Sequence, residues 1–318
     1  MNNAPLLEVK DLKKYFDTPS GKFHAVDGVN LKISRGNTLG IVGESGCGKS
    51  TLGRTVLRLI EPTEGEIIYE GNNIVSYNKE QMKVLRKKMQ IIFQDPFSSL
   101  NPRLSVSEII AEPMIVNKLF KSKKELNNRV FELMETVGLA PYLVNAYPHE
   151  LDGGRRQRIG IARALATNPD FIVCDEPVSA LDVSIQAQIL NLMMDLQDER
   201  GLAYMFITHD LSVVRHISNE IAVMYLGQCV ELASTDELFS NPVHPYTKAL
   251  LSAIPVIDVT RKGEKVELLK GEVQSPINPP KGCRFASRCK YAKPECQETE
   301  YSLYRVSDDH YVSCILAK

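Results

Sequence analysis

The chain has 318 residues, 43% hydrophobic and 24% charged, with a formal net charge of −1. That length suits one large domain or two to three modules, and the balance is that of an ordinary soluble globular protein. The near-zero charge excludes a global basic field for nucleic acid, and no apolar run approaches the roughly 18 residues that span a bilayer.

The N-terminus, MNNAPLLEVKDLKKYF, lacks the basic-then-apolar order of a signal peptide, so the chain is expected in the cytosol, free to dock on a membrane protein. LLEVKDLKKYF and HAVDGVNLKIS alternate apolar and polar residues, as half-buried strands do. TLGIVGESGCGKSTLGRTVLRLI runs from an apolar strand through a glycine loop into a helix. GEIIYEGNNI reads as a hairpin and MQIIFQD as a strand. From about 104 to 165 the pattern is mostly helical, with KELNNRVFELMETVGL the clearest amphipathic stretch. PDFIVCDEP and AYMFITHD are short, bulk-apolar strands of the kind buried in a parallel sheet, and SIQAQILNLMMDLQDER is the helix between them. This alternation predicts a parallel α/β sheet with a helical insertion. After about residue 235 the texture changes: NPVHPYTKALLSAIP and VQSPINPPKGCRF are proline-rich, which predicts a separate C-terminal extension.

The cysteine count is seven. Cys47, Cys174 and Cys229 are scattered, whereas Cys283, Cys289, Cys296 and Cys314 fall in the last 36 residues. Cytosolic thiols are kept reduced, so the C-terminal group points to metal more than to disulfides.

GESGCGKST, Gly43 to Thr51, fits G-x-x-x-x-G-K-[ST] between a strand and a helix, the context that gives the motif its meaning. The glycines let backbone N–H groups turn toward phosphate, and the helix N-terminus adds a favourable dipole. Lys49 is expected to reach the β- and γ-phosphates and Ser50 to ligate Mg²⁺. In FIVCDEP, four apolar residues bury a strand and two carboxylates emerge at its C-terminal end, where ligands bind in such sheets. Asp175 is expected to hold Mg²⁺, and Glu176 to polarise the attacking water. His209 ends the next strand, so the two strand ends should lie side by side, with the imidazole near the γ-phosphate.

With these motifs in this order, the chain resembles the ATP-binding cassette ATPases, the nucleotide-binding subunits of ABC transporters, over roughly residues 5 to 235. GESGCGKST resembles the family's phosphate loop, with Gly43, Ser45, Gly46, Cys47, Gly48, Lys49, Ser50 and Thr51 around the nucleotide. Gln94 in IIFQDP resembles the Q-loop glutamine, which senses Mg²⁺ and the membrane partner. LDGGRRQRIGIARAL resembles the signature, and SALD, Ser179 to Asp182, the D-loop. FIVCDEP supplies the magnesium aspartate and catalytic glutamate, and His209 the switch histidine. Tyr15 stands where such proteins stack an aromatic ring on adenine. The resemblance implies a RecA-like parallel-sheet core with an antiparallel β subdomain (1–103 and 166–235), a helical signature subdomain (104–165) and a small cysteine-containing C-terminal extension (236–318). It also implies head-to-tail pairing of two ATPases, each ATP lying between one phosphate loop and the other subunit's signature. A docking surface for the coupling helices of two transmembrane permease subunits and a plain packed lid are both consistent with MIVNKLF and its neighbours.

NPVHPYTKALLSAIP resembles a segment of oligopeptide and dipeptide importer ATPases, some of which are believed to carry a [4Fe–4S] cluster. Here the spacing is C-x5-C-x6-C-x17-C, unlike the C-x2–4-C pairs of zinc ribbons, and four thiolates suit such a cluster. Zinc and unligated thiols are the alternatives, and His244 and His310 are further ligand candidates.

The signature departs from the family pattern Leu-Ser-Gly-Gly-Gln: here it is Leu151-Asp152-Gly153-Gly154-Arg155. In the family the Ser hydroxyl and glycine N–H donate to the γ-phosphate of the opposite subunit's ATP. Two unit charges about 4 Å apart repel by about 4 kcal/mol at an effective dielectric of 20, nearly three decades of affinity if uncompensated. Asp152 is expected to cap the following helix. Beyond capping, either Arg155 or Arg156 neutralises it, or the site it completes is degenerate and hydrolyses slowly. An asymmetric pair with a second, non-identical ATPase is the favoured reading.

The function expected is ATP hydrolysis that powers a dipeptide or oligopeptide importer, at the cytoplasmic face of the membrane, peripheral, with an extracellular peptide-binding protein as an indirect partner and no nucleic acid. The alternatives are a nickel or other small-solute importer, a soluble ABC ATPase not coupled to transport, and a non-hydrolysing regulatory subunit.

Overall fold

A computed structural model describes residues 4–254, 271, 274–299 and 302–317. They fall into two compact units. One holds residues 4–6, Ile33–Asn37 and Ser76–Ile207; the other holds Leu7–Lys32, Thr38–Val75 and the described residues from Thr208 onward.

In the second unit, β1 (Leu7–Thr18) and β2 (Gly21–Ile33) open the chain. Leu7, Val9 and Leu12 are buried on β1, and the alternation slips where a register shift falls between Lys10 and Lys13. The all-buried β3 (Thr38–Val42) leads into the helix α1 (Lys49–Val56). That helix is shorter than its apolar pattern implies. Arg58 takes a left-handed backbone (φ 49°) and donates to the Ile74 carbonyl at 2.7 Å, which turns the chain out of the helix. β4 (Glu64–Tyr69) and β5 (Asn72–Asn73) form the expected hairpin, and β4 pairs antiparallel with β1.

The first unit follows with α2 (Lys79–Leu85), β6 (Met89–Ile92), α3 (Val106–Val116), α4 (Lys123–Thr136), α5 (Gly153–Leu165), β7 (Phe171–Asp175), α6 (Val183–Arg200) and β8 (Ala203–Ile207). β6, β7 and β8 are parallel neighbours, with Asp175 in register with Ile207. Capping boxes start α2, α3 and α4: the side chains of Asn78, Ser105 and Ser122 accept the N–H three residues on, and Gln81, Glu108 and Glu125 reach back. The helical stretch near 104–165 is thus three helices, with 3₁₀ turns at Pro141–Asn145 and Pro148–Glu150 between the second and third.

Back in the second unit come α7 (Leu211–Ile217), β9 (Glu220–Tyr225), β10 (Gln228–Ser234), α8 (Thr235–Ser240), α9 (Pro245–Ser252), α10 (Glu295–Glu298), β11 (Tyr304–Ser307) and β12 (His310–Val312). β3 and β9 are parallel, and β10 runs antiparallel to β9. The tail, expected as a separate extension, joins this sheet: β12 pairs with β10, and β11 with β12. Strands of three and four residues are too short for apolar periodicity to reveal them.

His310 welds the tail to the sheet. Its Nε2 lies 2.8 Å from Glu231 Oε1 and its Nδ1 3.4 Å from Glu237 Oε1. Glu231 is fully buried and also accepts the N–H groups of Val243 and His244 at 2.7 and 3.0 Å. With both ring nitrogens engaged by carboxylates, His310 is not the metal ligand it was a candidate to be. The Glu231 hydrogen bond raises its pKa above the ordinary 6.5 against the opposing effect of burial. A raised folded-state pKa gives stability that is fully present below the unfolded value and lost as pH rises through the folded one. The denaturant midpoint should therefore fall from about pH 6.5 upward, and His310→Gln should flatten that fall. An identical pH slope in the variant would remove His310 as its source.

Candidate active site

The phosphate loop lies in the second unit, between β3 and α1. Gly48 has φ 104°, and a Cβ there would stand 1.9 Å from the Ala25 carbonyl oxygen, so only glycine fits. No side chain caps α1, which leaves its first-turn N–H groups facing the loop. Lys49 is 4% exposed, and its ammonium donates to the Gly43 and Glu44 carbonyls at 2.8 and 2.9 Å. It is a buried ammonium held by two backbone carbonyls of the loop itself. Ser45 and Gly46 are exposed, Ser50 and Thr51 half-buried, and Cys47 is buried beneath the loop, where desolvation pushes its thiol pKa up.

Tyr15 stacks on His24, ring centroids 4.0 Å apart, and its hydroxyl donates to Asp27. Burial alone would raise the Asp27 pKa; the Tyr15 hydroxyl, His24 and Arg284 outweigh it and hold the carboxyl below its usual value. His24 was not singled out from the sequence. The expected adenine-stacking ring is in fact one of a stacked pair.

In the first unit, Asp175 ends β7 at 1% exposure. Glu176 follows in the left-handed region (φ 47°), its N–H donating to the Ile207 carbonyl at 2.9 Å. This outlier turns the second carboxylate away from the strand, a strained geometry typical of functional sites. Gln94, 82 residues earlier, donates from Nε2 to Glu176 Oε2 at 2.9 Å. Two residues picked from separate motifs thus meet directly. His209 is exposed between β8 and α7, where Asp210 caps α7 by accepting the Ser212 N–H at 2.7 Å.

At the signature, Asp152 caps α5 as expected, its Oδ1 accepting the Arg155 N–H at 2.8 Å. Its Oδ2 lies 3.4 Å from Arg155 Nη1. Arg156 turns elsewhere: it donates to the Pro148 carbonyl at 2.7 Å and stacks over Phe97. Gly153 and Gly154 form the first turn of α5.

Cys283, Cys289, Cys296 and Cys314 line one apolar cavity in the second unit, with His244 and Phe285 in its wall. The Cys283 N–H donates to the Cys296 carbonyl at 2.7 Å. Burial and then the neighbouring thiols push the Cys283 pKa up to about 11. His244 is fully buried and accepts the Tyr246 N–H through Nδ1; desolvation lowers its pKa to about 4, so it is neutral. All seven cysteines are unpaired thiols. Among the described residues, no three His, Cys, Asp or Glu side chains stand in position to hold a metal ion.

The ABC transporter family model matches residues 26–179, and the model for the C-terminal region of oligopeptide/dipeptide transporters matches residues 230–296. The oligopeptide transport ATP-binding protein AppF of Bacillus subtilis is 53% identical, over 99% of this chain and 98% of that protein. The chain belongs to the ATP-binding subunits of ABC transporters. The dipeptide transport ATP-binding protein DppF of Haemophilus influenzae is 52% identical to this ABC ATPase, over 98% of this chain and 97% of that protein. The ATP-binding cassette MJ0796, solved as a dimer in a post-hydrolysis state with ADP and Pi, is 31% identical with a TM-score of 0.67. That match covers 72% of this ABC ATPase and 98% of the cassette. ATP hydrolysis is the family's chemistry, on an α/β cassette fold. No described helix is long and apolar enough to cross a membrane.

Proposed function

We propose that this ABC ATPase powers the import of dipeptides or oligopeptides. The observation that carries the cargo class is identity above 50% along nearly whole chains to oligopeptide and dipeptide transport ATP-binding proteins, the C-terminal region included. No observation favours nickel or another small solute.

In this reading the N–H groups of Gly46, Cys47, Gly48 and Lys49 cradle the phosphates with the Lys49 ammonium. Ser50, Asp175 and Gln94 serve Mg²⁺, which neutralises developing charge on the phosphates when bound. Glu176 orients and deprotonates the attacking water, His209 steadies the γ-phosphate, and Tyr15 carries adenine. The hydrogen bond from Gln94 to Glu176 supports this: it joins the proposed Mg²⁺ glutamine to the proposed base, so a ligand that moves Gln94 acts on Glu176 directly. The domain reading keeps the boundaries 1–103 with 166–235, 104–165 and 236–318.

A groove of about 730 Å³ between α3 and α4 exposes Ile115, Val116 and Phe131 and supports docking of permease coupling helices there. The ATPase would then sit at the cytoplasmic face of the membrane with two permeases and a second, non-identical ATPase, and an external binding protein would deliver peptide. The Asp152–Arg155 pair favours a signature whose charge is compensated within its own helix.

The four thiols that line one apolar cavity are the support for a [4Fe–4S] cluster, in which each iron takes one thiolate. Cys283, Cys289, Cys296 and Cys314 would hold it, and it would supply a structural or redox-sensing centre.

The test is ATP-driven uptake of labelled peptide into vesicles carrying the ATPase with its permeases, with nickel uptake in parallel and iron, sulfide and zinc analysis of the anaerobically purified chain. Peptide uptake with about four irons and four sulfides per chain is the expected result. Nickel uptake alone would overturn the cargo, and zinc or no metal would overturn the cluster.

A further inference from the structure

We propose that Arg288, beside Cys289, is a positioning residue for nucleotide binding that fixes the phosphate loop through Glu44, so that the order of the cysteine module sets ATP affinity. This rests on the ATPase reading above and adds a determinant to it.

The segment between the first two module cysteines reads Cys283-Arg284-Phe285-Ala286-Ser287-Arg288-Cys289. Both arginines reach out of the module toward the nucleotide loop. Arg288 grips Glu44, the second residue of that loop, with both arms of its guanidinium: Nη1 to Oε2 at 2.9 Å and Nη2 to Oε1 at 3.1 Å. Tyr225 holds the same guanidinium, its hydroxyl 3.4 Å from Nη1. The Arg288 side chain is 7% exposed and that of Glu44 25%, so this is a shielded bidentate pair and not a surface contact.

Glu44 has a second tether to the tail. Its N–H donates to the Tyr246 hydroxyl at 2.9 Å. Phe285 packs against both Tyr225 and Tyr246, ring centroids 5.3 and 5.4 Å away. Arg284 backs the loop by another route. It donates to the Leu226 carbonyl and to Asp27, and the next residue, Gly227, donates its N–H to the Cys47 carbonyl at 2.8 Å.

The consequence follows from where these contacts end. Lys49 is bonded to the carbonyls of Gly43 and Glu44, and the tail holds Glu44 by its N–H and its side chain. Loosening Glu44 frees the loop to sample conformations whose N–H groups no longer converge, and ATP must then reorder it on binding. Affinity falls, while the water-activating groups in the other unit are untouched.

The test measures binding of a fluorescent ATP analogue with Mg²⁺ to the full chain, and steady-state ATPase of the assembled transporter. Arg288→Gln and Glu44→Gln should each raise the Kd and the ATP KM about tenfold, with kcat at saturating ATP within about twofold. The double variant should be no weaker than the worse single, because both remove one contact. Arg288→Lys, which keeps charge but loses the fork, should fall between. Arg305→Gln, at an exposed pair elsewhere in the tail, should leave affinity unchanged. Unchanged affinity in both single variants, or additive losses in the double, would overturn the proposal. Should Arg288→Gln fail to fold, Glu44→Gln reads the same contact with the tail intact. If Lys49→Ala binds the analogue as well as wild type, the ATPase reading itself fails, whatever Arg288 does.

Discussion

Replacing Glu176 with Gln is expected to lower ATP turnover by about two to three decades while leaving ATP affinity within about twofold, since a positioned general base contributes on that scale. The substitution is nearly isosteric. It keeps the length needed to meet Gln94 and the backbone N–H that donates to Ile207, so the left-handed turn at φ 47° is retained. What it removes is the oxygen that accepts a proton from water. Glu176 is half-buried and accepts a hydrogen bond from the neutral Gln94 amide, a contact the glutamine can keep. Changing Gln94 to Glu should also slow hydrolysis, because two carboxylates at hydrogen-bond distance resist joint ionisation. The assay is phosphate release from the assembled transporter, with nucleotide binding measured in parallel. Wild-type turnover by Glu176→Gln would take the role of base from this residue.

The second large effect concerns the signature. Arg155→Ala should weaken ATP at the site completed by Asp152 by about tenfold to a hundredfold, since an uncompensated carboxylate about 4 Å from phosphate costs about 4 kcal/mol before solvent trims it. The isolated chain should hardly notice. The side chains of Asp152 and Arg155 are 60% and 48% exposed, and a pair that open to water contributes little to stability. Only when a facing nucleotide excludes water does the arginine matter. Asp152→Ser should restore the Arg155→Ala loss and raise ATPase activity of the wild-type complex. The measurement is nucleotide affinity of the partner ATPase's phosphate loop within the mixed pair. Equal affinities for Arg155→Ala, Asp152→Ser and wild type would mean that the aspartate does not face phosphate.

Much of this was legible in the residues because the decisive features are local. A phosphate loop needs its glycines and lysine within nine positions, and the strand ending in Asp175 and Glu176 announces itself by bulk apolarity. The capping aspartate was legible for the same reason, and its arginine partner lies only three residues away. Contacts across long separations left no such trace. Arg288 and Glu44 are 244 residues apart, and neither identity alone reveals the other. The Tyr15–His24 pair was missed because a histidine on a half-buried strand reads as ordinary packing. The pairing of the tail with the sheet was not legible because β11 and β12 are too short to show a period, while its prolines advertise loops.

The joining of the tail to the sheet bears on how this chain tolerates being cut. β12 pairs with the outer side of β10, and β11 closes over β12. A chain ended near residue 235, where the texture of the sequence changes, would not be a minimal cassette. It would present β10 as a bare strand with a row of unpaired N–H and C=O groups, a template for the same strand of another copy. Glu231 would lose the imidazole that faces it. Such a fragment is expected to self-associate. In the full chain that outermost position belongs to β11, four residues long, with Arg305 exposed and Asp308 and Asp309 just beyond it. A short, charged border is one on which further strands do not readily grow.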